Sequence, residues 1–105
     1  MTDSDRLIAD ACACHLKGDL VTARADFLSI LQIDPSNATV FHHLGLIAFQ
    51  SGESPEAISY LESAVKIAPE RANLIADMGV VLRHSGDFSK AESFLRRACF
   101  LAPDN

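Results

Sequence analysis

Cys12 and His15 are the neighbouring side chains of this 105-residue sequence that come closest to a chemical site. They stand three positions apart, so on a helix they would lie about 60° apart on one face. A thiolate and an imidazole suit Zn or Cu, and they could also act as a nucleophile and its base. However, the sequence has no paired CxxC or HxxxH, and Cys14 would point roughly 200° away from Cys12. We therefore expect a packed cysteine and ordinary histidines, with no metal site.

Catalytic sequence patterns are missing from the rest of the chain. There is no G-x-S-x-G, no phosphate-binding glycine loop and no G-x-G-x-x-G. Cys12 and His15 lack an orienting acid and an oxyanion hole in the sequence around them. We predict no catalytic residues and no cofactor, and we do not expect the chain to be an enzyme by itself.

Composition excludes several other classes of protein. The net charge is −5, and the only adjacent basic pair is Arg96–Arg97, which a solvated helix face explains better than a nucleic-acid site. The acidic start of the sequence is unlike a secretory signal, and no apolar run approaches the roughly 18 residues of a membrane span. Three cysteines make a poor disulfide framework, which favours a reducing compartment, the cytoplasm.

The sequence repeats with a period of 34 residues. Three residue types recur three times in one register: Gly18, Gly52 and Gly86; Ala23, Ala57 and Ala91; Pro35, Pro69 and Pro103. We predict a single domain over residues 1–105, built from repeats 4–37, 38–71 and 72–105.

Each repeat has the pattern of two helices. In the second repeat, apolar and small residues recur at steps of three and four, as one helix face requires: Phe41, Leu44, Gly45 and Ala48. Ser54 is the expected N-cap of the next helix, with Pro55 at its first position. Pro69 then disfavours helical geometry at Ala68 and should end the helix.

Small residues are expected where the two helices of a repeat cross. Gly45 and Gly79 lie on first helices, and the repeated alanines lie on second helices. Without bulky side chains, two antiparallel helices can approach closely. The predicted fillers beside the crossings are larger: Phe27, Leu61 and Leu95.

This pattern resembles the tetratricopeptide repeat family. The second repeat carries the family's spacing as Phe41-x2-Leu44-Gly45-x2-Ala48, Ala57-x3-Leu61 and Pro69, and the third repeat carries it from Ile75 to Pro103. The first repeat is weaker, with Asp10 and Cys14 at two of its positions. The resemblance implies an all-α, right-handed solenoid of antiparallel helix pairs, with about six helices. It also implies that the first helices line a concave groove, which binds peptides or single helices of partner proteins.

The resemblance also implies which residues face the groove. The predicted partner-binding residues are Ile8, Cys12, His15, His42, His43, Leu46, Phe49, Asn73, Asp77, Val80 and Arg83; Leu16 and Gln50 occupy further groove-facing positions. One family subgroup holds the C-terminal carboxylate of chaperones, but Asp77 at a clamp position would repel that group. An apolar strip flanked by histidines and an Arg/Asp pair suits an amphipathic helix or an apolar peptide. Alternatively, part of the strip belongs to the core or lies under a neighbouring domain.

The groove histidines suggest pH dependence. In the family geometry His43 faces Cys12 and His15 from the next repeat, and His42 is a second candidate for that position. Histidines there could weaken the binding of a cationic partner near pH 6.

The last helix is predicted to have an unusually apolar outer face. Phe100 stands where the earlier repeats have Gln32 and Lys66. Together with Cys99 and Phe94, it forms the predicted self-association or capping face. This face would serve a homodimer or a longer protein of which this is the N-terminal part. The alternative is that Phe100 folds back onto Leu101.

Three functions follow from the sequence. The first is a protein-interaction module, or scaffold, with an unidentified protein or peptide in its groove. The second is a self-associating or stacking segment. The third is an accessory domain that presents substrates within a larger enzyme.

Overall fold

The chain folds into six helices, as seen in a computed structural model that describes residues 2–103. The helices are α1 (Asp3–Leu16), α2 (Leu20–Ile33), α3 (Ala38–Gln50), α4 (Ser54–Ile67), α5 (Ala72–His84) and α6 (Phe88–Leu101). They form three consecutive pairs, and the predicted all-α helix-pair solenoid is confirmed. Among the described residues, no helix has both the length and the apolar character needed to cross a membrane.

Side-chain caps fix the start of most helices. Thr2 and Asp5 form a reciprocal capping box at the start of α1. The helix is continuous, although Asp10 and Cys14 differ from the residues of the repeat pattern. The side chains of Asp19, Asn37 and Asp87 cap α2, α3 and α6 by accepting a backbone N–H.

The predicted N-cap of α4 was wrong by one residue. Glu53 is the N-cap residue, without a side-chain cap bond, and Ser54 is already helical. Pro55 therefore lies at the second helical position, where its missing N–H costs nothing because that group has no partner within the helix. The expected end of α4 is confirmed, since Ala68 is its C-cap.

Glycine makes the turn within each helix pair. Gly18, Gly52 and Gly86 have φ angles of 83°, 80° and 89°, a left-handed conformation that L side chains rarely adopt. In the second pair, the N–H of Glu53 donates to the carbonyl of Ala48 at 2.8 Å, closing a Schellman motif. The turn reverses the chain, so the second helix of a pair can pack against the first.

The core consists of two adjoining apolar clusters. One is formed by α1, α2 and the inner face of α3, and the other by α3, α4, α5 and α6. Tyr60 packs against both clusters and links them. Each helix pair therefore shares its interior with the next pair, as expected for a repeat protein in which no single pair can bury its own apolar face.

Close helix crossings depend on Gly45 and Gly79. A Cβ atom built at Gly45 would lie 2.7 Å from Cγ of Leu61, and one at Gly79 would lie 2.7 Å from Cγ of Leu95. The predicted fillers at these two crossings therefore do occupy the space that the glycines leave free.

Candidate functional site

An open cavity of about 530 Å³ lies between the first helices of the first two repeats. Its lining comes from the ends of α1 and α3: His15, Leu16, His43, Leu46, Phe49 and Gln50. The structure thus brings together four of the predicted partner-binding residues, with Leu16 and Gln50 at further groove-facing positions. Leu16 is 89% exposed at this cavity, so an apolar side chain is available to a partner.

A hydrogen-bonded cluster joins α1 to α3, and three of its four side chains, those of His15, His43 and Gln50, line this cavity. We refer to Cys12, His15, His43 and Gln50 as the histidine cluster. The Cys12 Sγ lies 3.3 Å from Nε2 of His43, and the two Nδ1 atoms of His15 and His43 are 2.9 Å apart. Nε2 of His15 lies 2.7 Å from Oε1 of Gln50. The His43 ring also stacks on the fully buried Phe27 ring, with centroids 4.9 Å apart.

One arrangement of hydrogens satisfies every contact of the histidine cluster. With the Gln50 oxygen as acceptor, an imidazole of His15 that donates from Nε2 accepts at Nδ1. His43 then donates from Nδ1, which leaves its Nε2 to accept from the Cys12 thiol. Burial raises the pKa of the Cys12 thiol, which keeps it a donor.

The surroundings of His43 keep its side chain uncharged. Burial, followed by repulsion from His15 and His42, lowers the pKa of His43 to about 4. A proton added to His43 would place a cation beside two other imidazoles. The cluster therefore holds α1 against α3 through hydrogen bonds to an uncharged His43.

The cluster is not arranged as a chelate. His43 presents Nε2 to Cys12 and Nδ1 to His15, so the three side chains do not converge on one point. Within residues 2–103, no group of three or more His, Cys, Asp or Glu side chains is placed to hold a metal ion.

His42 lies away from this cavity. It is buried and contacts Asp77 of α5, with Nε2 2.6 Å from the carboxylate oxygen. Asp77, predicted to flank the apolar strip together with Arg83, has its carboxylate in contact with His42. This contact joins the second and third repeats, as the histidine cluster joins the first and second.

The other predicted groove residues are spread over different surfaces. Ile8 and Cys12 pack against the first core cluster, and Val80 is exposed on α5. Asn73 and Arg83 line two further cavities that open at the free face of α5 and α6. The predicted groove residues therefore form a shared surface only around the cavity lined by His15, Leu46 and Phe49.

The predicted self-association face needs a correction. Phe94 is partly buried against the second core cluster. Cys99 is exposed and borders both cavities at the free face. Phe100 is 85% exposed and does not fold back onto the helix end. At 100° per residue these three side chains point in different directions, so they do not form one face.

Three stacked helix pairs with an open cavity between their first helices define a helical-repeat protein. The sequence matches the model of the tetratricopeptide repeat over residues 36–103, which is more than half of the chain. The chain therefore belongs to the tetratricopeptide repeat family. A comparison with curated protein sequences finds no match.

Solved structures share this fold. A mutant of the Thermobaculum terrenum O-GlcNAc transferase has a TM-score of 0.92 and 29% identity, with 99% of this chain and 21% of the transferase covered. The Yersinia enterocolitica type III secretion translocator chaperone SycD, in an alternative dimer, has a TM-score of 0.90 and 21% identity. The match covers 100% of this chain and 80% of SycD. MamA has a TM-score of 0.89 and 20% identity, and the match covers 96% of this chain and 59% of MamA. This chain thus spans about a fifth of the transferase and under two thirds of MamA.

Proposed function

We propose that this chain is a protein-interaction module that binds an amphipathic helix or an apolar peptide in the cavity between α1 and α3. Tetratricopeptide repeats generally mediate protein–protein interactions. The observation that supports this site is the exposed apolar side chain of Leu16 beside Leu46 and Phe49 in an open cavity. Burial of such a surface by a partner is the main favourable contribution to association.

The cavity is already shaped for an apolar group. The ring of Phe49 packs edge-to-face against His84 of α5, with centroids 5.1 Å apart, so two repeats hold it in place. Stacking on Phe27 holds His43 in the same way. A pre-positioned aromatic wall reduces the entropy lost on binding. At the rim, the exposed Gln50 offers a side-chain amide for the partner's polar groups.

The contact between Cys12 and His43 supports a role in binding, without catalysis by this chain itself. Cys12 lies within hydrogen-bond reach of His43, but burial raises the pKa of its thiol and lowers the pKa of His43 to about 4, so His43 is too weak a base to activate it. An unactivated thiol is a weak nucleophile. We keep the cytoplasm as the proposed compartment, because Cys12, Cys14 and Cys99 are all free thiols.

A second candidate is a substrate-presenting domain within a larger enzyme. The observation that favours it is the similarity to the O-GlcNAc transferase, of which this chain spans 21%. A catalytic domain encoded in the same reading frame would support this candidate, and the cavity would then bind the protein substrate.

Peptide selection tests the first candidate. A displayed library of amphipathic helical peptides would be screened against the chain, and affinities of selected peptides would be measured by fluorescence anisotropy. We expect Phe49→Ala to weaken binding at least about tenfold, because truncation of a buried aromatic anchor at an interface typically costs about 1–2 kcal/mol or more.

Ile67→Ala is the matched control, since it removes a partly exposed apolar side chain from α4, outside the cavity. Its affinity should equal that of the unmodified chain, and circular dichroism would confirm that both variants are folded. Equal affinities for a folded Phe49→Ala variant and the unmodified chain would contradict the proposal.

A further inference from the structure

The junction between the first and second repeats contains a nitrogen–nitrogen contact with space for a single hydrogen. The Nδ1 atoms of His15 on α1 and His43 on α3 are 2.9 Å apart. A hydrogen bond at this distance joins one nitrogen that carries a hydrogen to one that does not. Because a protonated imidazole carries a hydrogen on both nitrogens, at least one of the two histidines must stay uncharged while α1 lies against α3.

The groups around this pair favour an uncharged His43. From α1, His43 is faced by His15 and by the Cys12 thiol, whose Sγ lies 3.3 Å from its Nε2. From α2 it is faced by the uncharged ring of Phe27, and on α3 the ring centroid of His42 lies 6.1 Å away. Burial, followed by repulsion from His15 and His42, lowers the pKa of His43 to about 4.

The two junctions of the stack differ in the charge that faces their histidines. At the second junction, a proton on His42 would face the carboxylate of Asp77, 2.6 Å from Nε2. At the first junction, Nε2 of His15 contacts the neutral side chain of Gln50. Within the described part of the chain, neither His15 nor His43 forms an ion pair with a carboxylate. Added protons therefore act against the first junction and not against the second.

Separation of α1 from α3 removes the restriction on the histidine pair. Once the two rings are apart, each can bind a proton in mild acid, because an ordinary imidazole titrates near pH 6.5. The separated form then binds about one proton more than the packed form, so a fall in pH shifts the equilibrium towards separation.

Apolar packing between α1 and its neighbours α2 and α3 is limited. Ala11 is the buried side chain of α1. Ile8, Cys12 and Cys14 are only partly buried where they pack against the first core cluster. The histidine cluster is therefore a substantial part of what holds α1 in place.

The neighbouring helix α2 has stronger links to the second repeat. Its Phe27 and Ile30 side chains are buried in the first core cluster together with residues of α3. Arg24 of α2 also forms an ion pair with Glu53, at 2.7 Å, in the turn that follows α3. None of these contacts uses a histidine as its charged group, so α2 can stay on α3 when α1 leaves.

We propose that mild acid releases α1 from α3 while α2 to α6 remain folded. The histidine pair is the sensor, since packing of α1 forbids a second charge that separation allows. His15 and Leu16 belong to α1, so its release also removes one side of the cavity between α1 and α3. The release itself does not depend on the peptide that we propose for this cavity.

Hydrogen exchange of single backbone amides, followed by NMR without any peptide, measures the opening of each helix. After correction for intrinsic exchange rates, protection in the middle of α1 should fall about tenfold between about pH 7.5 and about pH 5. This is the fall expected from uptake of one proton, after allowance for the partial exposure of His43. At the lower pH, amides in the middle of α5 should stay at least about tenfold better protected than those of α1.

Two variants and a matched control connect the effect to the histidine pair. His43→Gln should abolish the fall in α1 protection, and His15→Gln, at a partly exposed position, should reduce it. His84→Gln is the control, because His84 contacts Phe49 of α3 and α5 does not contact α1. This control should show the full fall, and circular dichroism would show that all variants fold.

Three results would overturn the proposal. The first is unchanged protection of α1 between the two pH values. The second is equal protection of α1 and α5 at the lower pH, because the chain would then open as a whole. The third is a full fall in α1 protection in the His43→Gln variant, because another group would then be the sensor.

Discussion

Replacement of Gly45 by valine is expected to lower the free energy of unfolding by about 3 kcal/mol, the upper range for overpacking a tight core. Even the first added atom, the Cβ, would lie 2.7 Å from Cγ and 2.8 Å from Cδ2 of Leu61. Leu61 is fully buried between the second and third repeats, so it has little room to move. Urea denaturation followed by circular dichroism of the helix signal would measure the loss.

Leu61 provides the control for this explanation. In the unmodified chain, Gly45→Ala should destabilise, since the clash outweighs the roughly 1 kcal/mol that alanine gains over glycine in a helix. In a Leu61→Ala background the clash with the leucine side chain disappears and only the 3.3 Å approach to the Ala57 carbonyl oxygen remains, so the same Gly45→Ala change should cost much less. If Gly45→Ala costs the same free energy in both backgrounds, the close crossing does not limit stability.

The second large effect is a loss of stability in mild acid. His43 has its pKa lowered from 6.5 to about 4 by burial and by the neighbouring imidazoles. Between those two values the unfolded chain binds more protons than the folded chain, so stability falls as the pH falls from about 6.5 towards 4. After allowance for the partial exposure of His43, we expect this residue to contribute about 2 kcal/mol to that loss.

Urea denaturation at a series of pH values measures this dependence, and His43→Gln removes the group responsible. The variant should be less stable at neutral pH, because it loses the ring that stacks on Phe27, but its stability should fall less steeply below about pH 6.5. Leu46→Ala is the control: it removes apolar contact in the same cavity and should lower stability at every pH without changing the slope. An unchanged slope in His43→Gln would assign the acid sensitivity to other groups.

The fold could be predicted because the residues that determine it act on their own stretch of backbone and recur every 34 positions. Gly18, Gly52 and Gly86 need left-handed backbone at a spacing of 34, and Pro69 ends a helix through its own ring. The start of α4 was missed by one residue because Glu53 and Ser54 can both precede a helical proline. Local sequence does not decide between them.

The site was only partly predictable. The resemblance placed His43 opposite Cys12 and His15, and the structure puts it in hydrogen-bond contact with both. It could not show that the adjacent His42 contacts Asp77, because this depends on how α5 is positioned against α3. Neighbouring residues on a helix point about 100° apart, so two adjacent histidines serve different junctions.

The exposed apolar residues of α2 and the partial burial of Phe94 were missed for different reasons. A comparison of α2 with α4 and α6 at a shift of 34 would have revealed Val21, Ala25 and Leu28 as apolar where the other repeats are not. The burial of Phe94 had no such signal. The equivalent positions hold Asp26 and Tyr60, and only the packed structure shows that the Phe94 ring lies against the second core cluster.

The central claim is that partners bind in the cavity between α1 and α3, and site-specific photocrosslinking tests it most directly. A benzophenone amino acid would replace Leu16 at the cavity in one protein and the exposed Lys66 on α4 in another. After irradiation with a selected helical peptide, we predict a covalent adduct from position 16 and none from position 66. An adduct from position 66 alone, or equal adducts from both positions, would contradict the claim.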